Sequence, residues 1–78
     1  MSLLLALALL ACERNACVEM CQEYKRWIDD CGSSWEAEFP GEGWHNVDDC
    51  YEAQWEASSP EQVQCDSRRR SYEKRKCY

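Results

Sequence analysis

A chain of 78 residues with nine basic and fifteen acidic side chains, net charge −6, has room for one small domain, and a core alone holds a domain of that size poorly. Its acidic balance removes nucleic acid from the partners to be expected. Seven cysteines in so short a chain point instead to an oxidising compartment and a disulfide framework.

Residues Leu3 to Ala11 are nine consecutive apolar positions, about 13 Å as a helix, against the roughly 20 residues that cross a bilayer. The run is too short to span, and it has the length of the hydrophobic region of a secretory signal, which ends at small side chains. Residues 1–11 are therefore expected to be a signal peptide and 12–78 a single mature domain. A signal normally opens on Lys or Arg, whereas only Met1 and Ser2 precede this run. Either the true start lies upstream or the signal is unusually short.

All six leucines precede Cys12, and every charged and aromatic residue follows it. Leu9-Leu10-Ala11-Cys12 resembles the lipobox of bacterial lipoproteins: an apolar run, a small residue before the cleavage site, then a cysteine. The resemblance covers about the first dozen residues. It implies cleavage before Cys12, a diacylglyceryl thioether on Cys12 and acylation of the new amino terminus. The chain departs from the family in its missing basic residue and in Leu10, where smaller side chains are commoner. Parity agrees with the resemblance: with Cys12 set aside, six cysteines remain, enough for three disulfides. In that family's sorting pattern an Asp after the cysteine retains the protein in the inner membrane; Glu13 stands there instead, which implies the outer membrane, facing the periplasm or the cell surface. The competing reading is an ordinary secretory signal cut after Ala8 or Ala11, with Cys12 unpaired or linked to another molecule.

The mature part has no leucine, so its apolar mass rests on the four tryptophans, Phe39 and the tyrosines. Helix 1 is expected over Asn15 to Cys31, because Cys17, Cys21, Tyr24, Ile28 and Cys31 recur at spacings of 4, 3, 4 and 3 on one face. Gly32 is its left-handed terminator. A long aromatic loop, GSSWEAEFPGEGWH, follows; Trp35, Phe39 and Trp44 in it read first as a lid over a core short of aliphatics, and second as a partner-contact surface. Helix 2 should start with Asn46 as cap and Asp48 and Asp49 in its first turn, running to about Ala57 with Val47, Cys50, Tyr51 and Gln54 inward. Helix 3 should start with Ser59 as cap, Pro60 at the first position and Gln62 as capping-box partner, running to about Lys76. The expected fold is thus mostly α, a small disulfide-rich three-helix domain.

Six cysteines, Cys17, Cys21, Cys31, Cys50, Cys65 and Cys77, allow fifteen pairings. An antiparallel pair of helices 1 and 2 favours Cys31–Cys50, which leaves Cys17 and Cys21 to Cys65 and Cys77. The latter two would lie about 18 Å apart on a continuous helix, so helix 3 must bend or end early.

Little in the sequence carries chemistry. Cys17-x3-Cys21 and Cys21-x9-Cys31 resemble the helical-hairpin spacings of intermembrane-space proteins, but Cys65-x11-Cys77 does not repeat them. Zinc on Cys17, Cys21 and His45 would require a second short cysteine pair to be well supported. There is no C-x-x-C, no nucleophile with a recognisable base and no phosphate loop. No catalytic, cofactor-binding or metal residue is assigned, and enzymatic activity is not expected.

Charge is uneven. Residues 13–66 hold fourteen acidic and three basic side chains, while 67–78 hold one acidic and six basic. Arg68, Arg69, Arg70, Lys74, Arg75 and Lys76 read first as a solvated helix face complementing the acidic body, and second as a contact with anionic head groups at the membrane surface. Taken together, the sequence predicts a lipid-anchored exported protein, a non-catalytic interaction or envelope-structural module whose partners are the bilayer and an envelope or extracellular protein. The alternative is a freely secreted disulfide-rich effector or inhibitor that binds through its aromatic loop.

Overall fold

The computed structural model describes residues 15–77; the expected signal peptide and Cys12 lie outside them. The described residues are mostly helical and contain no strand. Among the described residues four helices follow one another: α1 Ala16–Cys31, α2 Trp35–Glu38, α3 Val47–Gln54 and α4 Ser59–Lys74.

The fold is built on α1. Its seam of Cys17, Met20, Cys21, Tyr24, Trp27 and Ile28 is buried, as expected of apolar positions three and four apart. Asn15 caps it, its side-chain oxygen accepting from the amides of Cys17 and Val18. Gly32 ends it at φ +67°, with its amide on the Ile28 carbonyl, a conformation that a Cβ penalises.

Disulfides arrange the other helices. Cys17 pairs with Cys65, Cys21 with Cys50 and Cys31 with Cys77, at Cα separations of 4.8, 5.9 and 5.2 Å. Cys21–Cys50 and the Asn15 contact with Gln54 set α3 antiparallel to α1. The other two bridges join like ends, so α4 runs parallel to α1. Cys17 and Cys21, one turn apart, thus each hold a different neighbour.

The expected Cys31–Cys50 bridge is not formed. The antiparallel orientation holds, but the connection from Gly32 travels back along α1 before α3 begins. Cys50 therefore meets Cys21, about 15 Å down the helix from Cys31. Nor do Cys17 and Cys21 share Cys65 and Cys77. Cys31 lies about 21 Å beyond Cys17 along α1, and a helical 65–77 would rise only about 18 Å. Instead α4 stops at Lys74 and Arg75 is extended (ψ 131°), and this lets Cys77 reach Cys31.

The helix count and the aromatic loop also change. Residues 32–45 are not loop throughout, because Ser34 caps the single turn of α2. The α3 helix ends at Gln54 rather than Ala57, short of the exposed Trp55. At α4 the cap is Ser58, one residue earlier than expected, and Glu61 rather than Gln62 closes the capping box. The carboxylate of Glu61 accepts from the Ser58 amide at 2.9 Å, a stronger acceptor than an amide oxygen. Gln62 is thereby free for tertiary work: its oxygen accepts from the Ala16 amide and its nitrogen donates to the Ala57 carbonyl.

Asn15 is a second such clamp, since its Nδ2 donates to the carbonyls of Gln54 and Trp55, each at 3.2 Å. Asn15→Ala removes the cap and both ties and is expected to cost about 1–2 kcal/mol. Asn15→Asp keeps the cap and loses only the donors, so denaturant unfolding should rank it between wild type and alanine. Equal losses in the two variants would mean that the cap alone matters.

Candidate functional site

The aromatic connection is a lid. Trp35 and Trp44 are 7% and 8% exposed and Phe39 is half-buried. Phe39 sits 4.5 Å from the Tyr24 ring and 5.3 Å from Trp44, and Trp35 lies 6.2 Å from Trp44, distances at which aromatic edges and faces attract. As a result these rings line the core instead of presenting themselves to a partner. The lid is latched by Glu38, whose carboxylate receives the Tyr72 hydroxyl at 3.3 Å and the Arg75 guanidinium at 2.9 Å.

His45, considered as a metal ligand, is exposed and its Nδ1 lies 2.7 Å from the Glu36 carboxylate. Cys17 and Cys21 are closed in disulfides, which leaves no thiolate for zinc. Among the described residues no three His, Cys, Asp or Glu side chains converge as a metal site, and no helix is long and apolar enough to cross a membrane. The hydrogen bond that His45 donates to the Glu36 carboxylate raises the His45 pKa above 6.5, and His45 lowers that of Glu36. A raised histidine pKa contributes stability that is complete below the ordinary value and lost as pH rises through the raised one. A lowered carboxylate pKa contributes stability present above its ordinary value and lost as pH falls through the lowered one. The pair is therefore intact between the carboxylate and histidine ranges. NMR titration of His45 should show its pKa falling toward 6.5 in Glu36→Gln; an unchanged midpoint would mean that the pair does not form in solution.

The basic run divides. Arg69 bonds Asp66 and Glu73, and Arg70 bonds Asp66. Arg75 lies 3.9 Å over the Trp27 ring while holding Glu38. Burial pushes the Tyr24 hydroxyl pKa up, and neighbouring Arg68 opposes that rise. Arg68, Arg69, Arg70 and Arg75 thus each have a partner within the chain.

What remains exposed is an aromatic that the sequence left among the core candidates. Trp55 is 70% exposed, immediately past the end of α3. It borders an open cleft of about 740 Å³ with Tyr51, Asp48, Glu52, Glu56 and Glu61, and a smaller one with Asn15, Val18, Glu19 and Gln22. No local signal marks it: Trp55 stands four residues after Tyr51 and eight after Val47, on the same helical stripe as the inward set, and it is exposed because α3 ends at Gln54. No protein-family model, curated protein or solved structure matches the chain.

Proposed function

We propose that this is an exported protein, anchored to a bilayer by acyl chains on Cys12, that works as a non-catalytic interaction or envelope-structural module. The carrying observation is the disulfide set: six cysteines are used in three bridges, and Cys12, at the end of the apolar run, is the seventh. One explanation then covers both the odd cysteine and the short apolar segment. Two or more acyl chains give stable attachment where one does not. The outer membrane, facing the periplasm or the cell surface, is the proposed residence.

Asn15 is three residue steps from Cys12, with Glu13 and Arg14 between them, at most about 11 Å of chain. The Cys31–Cys77 bridge holds the basic tail at the other end of α1, about 22 Å from its start. With α1 standing along the membrane normal, Lys74 and Lys76 lie away from the bilayer and the anchor rests on Cys12 alone.

Intact mass of the exported protein tests the reading. An N-acyl diacylglyceryl Cys12 at the amino terminus is expected, and Cys12→Ser should release the domain from membranes. A soluble product with unmodified Cys12 would overturn the anchor and favour the secreted effector or inhibitor, whose contact surface would then have to lie outside the buried Trp35, Phe39 and Trp44 lid.

A further inference from the structure

We infer that the face around Trp55 is the docking surface for a basic, arginine-containing peptide segment of a partner protein. This names the partner class of the module proposed above, and it rests on the module being one of interaction, not on the lipid anchor.

Three observations converge on it. A core without leucine would gain from every tryptophan, yet Trp55 is left 70% exposed while Trp27, Trp35 and Trp44 are buried. Tryptophan is enriched among the residues that carry most of the binding energy at protein interfaces. Second, the cleft it borders is lined by Tyr51, Ala53 and Ala57 together with a rim of four carboxylates, Asp48, Glu52, Glu56 and Glu61. Third, three of the four cleft carboxylates meet no cation among the described residues. Glu23, Asp29, Asp30, Glu38, Asp66 and Glu73 are each met by a lysine or arginine of the chain. Asp48, Glu52 and Glu56 meet none among the described residues, and no lysine or arginine occurs between Arg26 and Arg68.

Charge complementarity selects the occupant. A guanidinium is planar, stacks on an indole face and forks onto carboxylates, whereas its methylenes cover apolar surface. An arginine side chain laid across Trp55 would carry its charge toward the rim of Glu52 and Glu56. A lipid surface fits less well, because the same rim would be pressed against phosphates. The chain's own tail is a poorer candidate too, since Arg69, Arg70 and Arg75 already hold carboxylates of their own molecule.

The test titrates acetylated hexa-arginine into the full exported protein, in mild detergent where acyl chains are present, with hexa-lysine and hexa-glutamate alongside. Binding is expected for hexa-arginine, more weakly for hexa-lysine and not for hexa-glutamate, and it should fade as salt rises from about 0.02 to about 0.3 M. Trp55→Ala should weaken it at least about tenfold, as should Glu52→Gln combined with Glu56→Gln. Glu42→Gln, which removes a charge outside the cleft, should leave it unchanged. Absence of binding overturns the inference, and so does binding that Trp55→Ala leaves intact, which would be diffuse attraction to an acidic protein. Uptake of Trp55 into phosphatidylcholine vesicles, or dimerisation lost in Trp55→Ala, in place of peptide binding would assign the face to lipid or to a second copy and overturn it equally. The two proposals fail separately: an acylated protein that ignores hexa-arginine keeps the anchor and loses the docking face, and a soluble one that binds does the reverse.

Discussion

Trp27→Ala is expected to destabilise the domain by about 3–5 kcal/mol, the usual range for emptying a buried indole site, and so to remove much of the stability that a small domain has. Trp27 is 1% exposed. Its ring meets Tyr72 edge-on at 5.8 Å and carries the Arg75 guanidinium at 3.9 Å. Truncation therefore opens a cavity between α1 and α4 and also frees the tail that Arg75 fastens through Glu38. Trp27→Phe keeps a ring there and removes an indole N–H that has no partner among the described residues, so it should cost well under half as much. Trp55→Ala is the contrast, at under about 0.5 kcal/mol for an exposed side chain. Urea unfolding with the disulfides intact compares all three, and a Trp55→Ala loss close to that of Trp27→Ala would place Trp55 in the core and defeat the exposed-face argument.

Removing the Cys17–Cys65 bridge by serine at both positions is expected to cost about 4 kcal/mol from chain entropy alone, given its separation of 48 residues. Cys21–Cys50, at 29 residues, comes to about 3.5 kcal/mol on the same footing. Both bridges are buried, with Cys17, Cys21 and Cys50 at 0% exposure, so the new hydroxyls add a desolvation penalty. Cys31–Cys77 closes nearly as long a loop, 46 residues, but both its cysteines are only half-buried. Its removal should therefore be the mildest of the three and should loosen the Arg75 tail first. Thermal unfolding of the three double variants gives the order. Non-reducing peptide mapping checks the pairing itself, and a Cys31–Cys50 peptide would overturn it.

Much of the architecture was legible along the chain. The 4, 3, 4, 3 seam of α1, the terminator Gly32, the Asn46 cap and the SSPEQ start of α4 are local signals, carried by residues within a turn or two of one another. The fate of Trp35, Phe39 and Trp44 was legible as a preference for the lid, because the residues after Cys12 include no leucine and offer few other groups to cover Tyr24. The candidate site was not legible. Trp55 looked like one more aromatic for that core, and its exposure follows from where α3 ends.

The amino-acid sequence by itself determined that six cysteines after Cys12 can close in pairs, that the fold is helical, and that charge gathers as an acidic body with a basic end. These depend on composition and on periods of three and four residues. The tertiary structure alone decided which cysteine meets which. That choice rests on how far the Gly32–His45 segment returns along α1 and on α4 stopping at Lys74, which no local spacing encodes. It also decided which carboxylates are met by cations and which are left around Trp55, since pairing between helices depends on the faces they present once packed.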